Sequence, residues 1–374
     1  MRFHVLGVPH TRTTPEYTSC AFTQKVYKFC KMMGQRGHTL FHYGVEGSDA
    51  PYAENITVVS NETYDKVYGS TPKQGPYHFD HNDACYQEFF KNAIIEVGKH
   101  KQPNDFILPF WGVGVRDVCD AHKDIITVEP GIGYPTAFAR FRIYESYAWL
   151  HAQLGTTVNP DWYYQVIPNY FDLDDFDYNP SLESRLKDPY FLYLGRVTAC
   201  KGINVAMQVC EKLGVKLIMS GPLFCDYKDY KWKYPIEYVG PSDVEKRKEL
   251  MKNAVASFMP TVYSEPFGGV QVENFLSGTP VISTDWGAFP EVNIHGVTGY
   301  RCKTFDDFLN AALNCLEGKI KPEDCRRQGE KYSLENIAPM YEKYFGDVLN
   351  IYTGNGWYEL SPETERRLSE RDNW

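Results

Sequence analysis

The chain has no run of about eighteen apolar residues, so nothing in it reads as a membrane-spanning helix. It has no CxxC pair. Its ten cysteines, at 20, 30, 85, 119, 200, 210, 225, 302, 315 and 325, follow neither zinc-ligand nor disulfide-framework spacing. They read as free thiols and small apolar fillers, and no metal is expected from them. No GxGxxG opens a strand–helix unit, which sets aside a dinucleotide-dependent dehydrogenase. Repeats of solenoid length and low-complexity tracts are missing as well. Positive charge is short: 39 Lys plus Arg face 48 Asp plus Glu, and the first 178 residues hold 15 against 21. A polyanion is held by cations that neutralise its phosphates, so a nucleic-acid partner is disfavoured. The opening "MRFHVLGVPHTRTTPEY" turns polar early and reads as a first strand and its loop rather than a leader. The expected location is cytoplasmic, and the glycosylation-type triplets at Asn55 and Asn61 then carry no weight.

What is present is alternation. A length of 374 residues suggests two domains of ordinary size. "FHVLGV", "TLFHYG", "DFILPFWG", "DIITVEPG" and "YQVIPN" are short apolar runs bounded by Gly, Pro or Asn, as strands buried on both faces are. Between the first two, Ala21, Phe22, Val26, Phe29, Cys30 and Met33 share one helical face that ends at Gly37. The rhythm restarts with "YFLYLGR", a helix from Lys201 to about Leu213, "VKLIMSG", "IEYVG", a charged helix at 243–254, "ASFMP", "PVIST" and "GYRC". The expected class is α/β, with two Rossmann-like parallel-sheet domains facing a central cleft. The expected boundaries are 1–178 for the first domain, 179–189 for a polar linker bracketed by prolines, 190–333 for the second domain, and 334–374 for a C-terminal helix and tail that packs back on the first.

Chemistry concentrates in the second unit. "YLGRVTACKG" is a strand closed by Gly195, followed by the cations Arg196 and Lys201 and a helix start. In a doubly wound sheet such residues gather at the carboxyl ends of the strands, where two cations and a helix N-terminus make a diphosphate site. "SEPFGGVQVENFLSG" offers a second helix start. There Gly268 and Gly269 let the backbone come close to a ligand, and two carboxylates flank it. Glu273 suits vicinal ribose hydroxyls, and Glu265, in the loop before the helix, lies nearer to whatever the diphosphate carries.

The string "SEPFGGVQVENFLSGTPVISTDWGAFPEV...GVTGY" resembles the donor-binding signature of the retaining family 4 glycosyltransferases, which have the GT-B fold. "LGRVTACKG" is similar to that family's phosphate-binding segment, and "VIPNYFDLDDF" to its interdomain segment, with Tyr170 in a usual Gly position. The resemblance covers nearly all of residues 190–305 and is patchy before that. It implies a retaining hexosyl- or pentosyltransferase that moves a sugar from a nucleotide diphosphate sugar to a hydroxyl acceptor. The implied donor-binding residues are Gly195, Arg196, Lys201, Gly221, Glu265, Phe267, Gly268, Gly269, Val270 and Glu273; Arg196 and Lys201 would stabilise the leaving diphosphate, with Glu265 at the donor sugar. Such a site needs no cofactor and no metal, because fixed cations and N–H dipoles meet the developing charge. Asp172 and Asp174 form an Asp-x-Asp, yet they fall in the interdomain segment and read as a solvated turn. His78 and His81 read as polar residues around a helix start, and His122 is a further alternative to the family's histidine.

One departure concerns that histidine, usual at a first-domain strand end. Glu129 in "IITVEPGIGY" stands in its place and is carried as a candidate catalytic and sugar contact. His10 and Thr11, on the loop after the first strand, are further acceptor or sugar contacts. The implied partners are a nucleotide sugar and a carbohydrate or other hydroxyl-bearing acceptor, with a hydroxymethylated base in viral DNA as the less favoured case. The competing readings are a sugar-nucleotide epimerase or hydrolase on the same fold, or a catalytically inactive nucleotide-sugar-binding protein.

Overall fold

The computed structural model describes residues 1–75, 77–155, 161, 163–354 and 360–371. Two parallel sheets organise them. The first contains β1 (Arg2–Leu6), β2 (Thr39–Val45), β3 (Glu54–Val59), β4 (Phe106–Pro109), β5 (Ile126–Ile132), β6 (Phe141–Tyr144) and β7 (Gln165–Val166), in the order β3-β2-β1-β4-β5-β6-β7. The second contains β8 (Tyr190–Leu194), β9 (Lys216–Ser220), β10 (Ile236–Tyr238), β11 (Ala256–Met259), β12 (Val281–Thr284) and β13 (Gly299–Cys302), in the order β10-β9-β8-β11-β12-β13. Chain order reverses beside the first strand of each, with β1 between β2 and β4 and β8 between β9 and β11. Loops leaving the carboxyl ends of strands at such a reversal part in opposite directions and leave a crevice.

The strands expected from apolar runs form, and their side chains are buried on both faces: Phe3, Val5 and Leu6 on β1, Phe191 and Leu192 on β8. The first helix, Ala21–Gln35, buries Val26, Phe29, Cys30 and Met33 as its periodicity predicts. Ala21 is exposed and Phe22 only half-buried, because the start of this helix opens on the cleft. The periodicity reading passed over β3, the helix Asn61–Tyr68 and β6, whose polar or four-residue runs give a weak signal. Among the described residues no helix is long and apolar enough to cross a membrane.

Residues 179–189, expected as a linker, contain the helix Leu182–Lys187, capped by Ser181. The helix is tied down by Arg185, which is 1% exposed. Its guanidinium donates to the carbonyl oxygens of Asn179 (2.7 Å), Ser277 (2.8 Å) and Ala254 (3.3 Å) and to Thr279 Oγ1 (2.8 Å). It has no carboxylate partner among the described residues, and burial pushes its pKa down to about 10. Arg185→Met would leave several buried acceptors without donors, at a cost of about 3 kcal/mol. The expected result is a melting temperature lower by about 6–12 °C. A thermal melt within a degree of wild type would show that water replaces the guanidinium at no cost.

The chain returns to the first domain beside the place where it left. Phe171 N–H donates to the Tyr332 carbonyl (2.8 Å), and Leu334 N–H donates to that of Phe171 (3.0 Å). The helix Leu334–Thr353 then packs on the first sheet's helix layer, with Phe345 against Phe3 (ring centroids 4.7 Å) and Tyr341 against Phe29 (5.7 Å). This strap joins the two sheets through a second crossing, so their relative position depends on packing as well as on the chain at 169–178.

Candidate active site

The second sheet's reversal is where the cations gather. Beyond β8 and β9 the chain passes Gly195 (φ 144°) and Gly221 (φ 145°), which touch. A Cβ on Gly221 would lie 1.8 Å from the Gly195 carbonyl oxygen, so only glycine lets the two loops approach this closely. Arg196 follows, exposed to the cleft, with its guanidinium 5.8 Å from the Phe224 ring centroid and no ion pair among the described residues. The turn Ala199–Lys201 then brings Lys201 back over the sheet ahead of the helix Ile203–Leu213.

The loop after β11 supplies the facing side. Glu265 Oε2 accepts from Lys201 Nζ at 2.6 Å, and that ammonium lies 4.8 Å from the Tyr263 ring centroid. Burial works to lower the Lys201 pKa, but the Glu265 charge and Tyr263 outweigh it and hold the lysine above its ordinary value, so it is a cation at neutral pH. Gly268 (φ 72°) leads into the helix Gly269–Leu276, whose first residues, Gly269 and Val270, line the cleft together with Lys201; the first N–H groups of a helix have no acceptor within it. The loop 285–288 braces Glu265 from behind: Ala288 N–H donates to its carbonyl (3.0 Å), and Trp286 Nε1 donates to that of Thr261 (3.1 Å). Phe267 is buried beneath, stacked on Phe171. Four residues into the helix, Glu273 is ion-paired with Arg247 of the helix Val244–Asn253, and both line the cleft.

Both domains line this cleft of about 870 Å³. On the first-domain wall His10 is buried, with Nδ1 2.8 Å from the Tyr86 hydroxyl. Burial, and to a smaller extent His81, pushes its pKa down to about 3, so it is neutral at neutral pH. Thr11, expected as a contact, points inward instead: it is 1% exposed and its hydroxyl meets that of Thr23 at 2.5 Å. Glu129 is likewise withdrawn from the wall and is fully buried. Its carboxylate accepts from the Tyr134 hydroxyl (2.8 Å) and from the N–H groups of Phe138 (2.8 Å) and Ala139 (3.0 Å), so it organises the 134–139 loop rather than meeting a sugar. Burial raises its pKa, while those hydrogen bonds and Arg142 work against the rise.

An acid that does line the cleft on this wall is Glu145, just past β6, paired with Lys25 of the first helix. Lys25 Nζ also donates to the Gly131 carbonyl (2.8 Å). A Cβ on Gly133 would sit 2.7 Å from the Glu145 carboxylate, so the glycine makes the room that the acid occupies. Its neighbour Ser146 donates to the Pro266 carbonyl (2.5 Å), one residue from Glu265. Glu291 of the second domain caps the helix Tyr147–Leu154 by accepting from the N–H groups of Tyr147 (2.9 Å) and Ala148 (2.7 Å). The Pro290-Glu291 dipeptide of the signature string therefore bridges the domains.

The structure thus brings together Gly195, Arg196, Lys201, Gly221, Glu265, Phe267, Gly268, Gly269, Val270, Glu273 and His10 along one cleft, and leaves Thr11 and Glu129 outside it. Sequence reasoning missed Arg247, Lys25 and Glu145. The two glycines of "EPGIGY" were the available signal for the last of these. Asp172 is ion-paired with Lys31 and accepts from Asp174 N–H (3.3 Å), which makes the Asp-x-Asp a capped turn.

Residues 174–332 match the family model described as glycosyl transferases group 1. The chain is 28% identical over 300 residues to an uncharacterized glycosyltransferase of Methanocaldococcus jannaschii, covering 68% of this chain and 74% of that protein. It is 23% identical over 209 residues to a lipopolysaccharide 1,2-N-acetylglucosaminetransferase of Salmonella typhimurium, covering 48% of this chain and 55% of that one. Among solved structures, a sucrose-phosphate synthase from Thermosynechococcus elongatus superposes with a TM-score of 0.69 at 16% identity, covering 93% of this chain and 98% of that one. Anabaena HepE in complex with UDP-glucose superposes with a TM-score of 0.68 at 14% identity, covering 92% of this chain and 99% of that one. The fold is GT-B, and the match to the glycosyl transferases group 1 model falls on residues 174–332, most of the second domain.

Proposed function

We propose that this protein is a group 1 glycosyltransferase that moves a sugar from a nucleotide diphosphate sugar to a hydroxyl acceptor with retention of anomeric configuration. The observation that carries the reading is the convergence of Arg196, Lys201 and the N-terminus of the helix Gly269–Leu276 at one strand reversal, with Glu265 and Glu273 on either side. As the glycosidic bond to phosphate breaks, negative charge grows on the diphosphate while the sugar becomes oxocarbenium-like. Two cations and a helix N-terminus fixed beforehand lower the energy of that charge without reorganising. Glu273 takes the ribose hydroxyls and Glu265 the donor sugar. The domain through about residue 178 carries the acceptor, and closure of the two domains limits hydrolysis of the donor.

Charge neutralisation by Arg196 and Lys201 makes the reaction metal-independent in this reading, so turnover in EDTA is expected. The test is to incubate UDP-, GDP- and ADP-sugars with saccharide acceptors in EDTA and to read the anomeric proton coupling of the product by NMR. Retention supports the reading and inversion sinks the stereochemical part of it. Release of nucleotide without any acceptor would favour an epimerase or hydrolase. Tight nucleotide binding without turnover of any donor would favour an inactive binding protein.

A further inference from the structure

The wall opposite the donor residues is aromatic and carries no spare positive charge. It lies at the first sheet's own reversal, where the loops after β1 and β4 bring His10 and Trp111 together, with ring centroids 5.0 Å apart and planes at 70°. Phe79 stacks on His10 (5.2 Å, 16°) and meets Trp111 edge-on (4.9 Å); Phe22 meets the same indole at 4.5 Å. Phe79 is 46% exposed, and all four rings line the cleft. Phe79, with the half-buried Phe22 and Trp111 over the buried His10, matches the C–H face of a pyranose, which buries apolar area on aromatic rings while its hydroxyls stay free.

The charges beside the rings are already matched. Lys25 Nζ lies 5.4 Å from the Phe22 centroid and is paired with Glu145; Lys28 Nζ is 3.5 Å from Asp175. These are the lysines on this side of the cleft among the described residues, and no arginine joins them. On the donor side Arg196 has no carboxylate partner among the described residues and is free for a phosphate. On this wall each lysine has a carboxylate partner, so a phosphate-bearing acceptor meets no free cation among the described residues, whereas a neutral hydroxyl can donate to Glu145 with the pair intact.

Resting on the transferase reading of this cleft, we propose that the His10, Phe22, Phe79 and Trp111 cluster is the acceptor subsite and that it takes a neutral saccharide, presenting a hydroxyl to the Glu145–Lys25 pair. The test uses the full chain. Neutral di- and trisaccharides are titrated against tryptophan fluorescence, and acceptor KM is measured for wild type and Phe79→Ala. A lipid-phosphate-linked sugar and duplex DNA containing hydroxymethylcytosine are run in parallel. Neutral saccharides are expected to bind with an affinity unchanged between about 50 and 200 mM salt. Phe79→Ala is expected to raise acceptor KM about tenfold with the thermal shift by UDP unchanged. Phe79 is exposed, so the variant folds and the comparison is clean.

Preference for the phosphate-bearing acceptor or for DNA, with steep loss of affinity in salt, overturns the acceptor class. So does an unchanged acceptor KM in Phe79→Ala. If wild type is stabilised by no nucleotide at all, the transferase reading fails and takes this proposal with it. A nucleotide response without saccharide binding overturns the acceptor class alone.

Discussion

Replacing Lys201 with alanine is expected to lower kcat for sugar transfer by about 10²–10³-fold, because in the proposed reaction the lysine faces the position where diphosphate charge develops. The loss has two parts in this site. One is the cation itself. The other is Glu265, 2.6 Å from Lys201 Nζ and largely buried, which the substitution leaves as an uncompensated negative charge beside an anionic ligand. A second variant separates them: Lys201→Ala with Glu265→Gln removes the repulsion and is expected to recover part of the nucleotide affinity measured by calorimetry, with kcat still low. A Lys201→Ala enzyme within threefold of wild-type kcat would remove the lysine from the transition state.

The same pair fixes a pH expectation. Lys201 is held above its ordinary 10.5 by Glu265 and Tyr263 against the opposing pull of burial. A cation whose pKa rises on folding contributes stability that is complete below its unfolded value and is lost only as pH rises through the folded one. Neither stability nor activity should therefore fall through deprotonation of Lys201 across neutral and mildly alkaline pH.

Glu273→Ala is expected to weaken nucleotide diphosphate binding by about 10–100-fold, the effect of removing charge-assisted hydrogen bonds to two hydroxyls. At a nucleotide concentration near 100 times the wild-type Kd, ligand stabilisation is about 2.7 kcal/mol, and it should fall to about 0.4–1.4 kcal/mol in the variant. Arg247, paired with Glu273 in the structure, gives a graded control. Arg247→Met leaves the carboxylate in place but unoriented, so it should weaken binding less than Glu273→Ala does. Equal thermal shifts by UDP, GDP and ADP in wild type and Glu273→Ala would place the ribose elsewhere.

The donor half was legible in the sequence because its determinants are local. Gly268 and Gly269, the helix to Leu276, and the carboxylates at 265 and 273 lie within twelve residues, and their spacing survives any arrangement of the sheet. The strands β8 to β13 were legible for the same reason, as apolar runs bounded by glycine and proline. The partners of those carboxylates were not. Lys201 stands 64 residues from Glu265, and Arg247 stands 26 from Glu273; pairing of β8 with β11 brings the first pair together, and packing of the two helices that flank β11 in the chain brings the second.

The first-domain wall shows the limit more sharply. From sequence, Glu129 and Glu145 are two acids near strand ends, and nothing local distinguishes them. Glu129 lies within β5, and the 134–139 loop folds over its carboxylate; Glu145 follows β6 and emerges where Gly133 leaves space beside Lys25. The sequence by itself determined the α/β alternation and the glycines, cations and two carboxylates clustered in the second domain, since backbone propensity and short-range spacing are carried by neighbours along the chain. Tertiary structure alone decided which acid faces the cleft, which cation is left unpaired, and that an aromatic wall opposes the donor site, because burial and pairing depend on residues that meet only once both sheets have reversed and closed on each other.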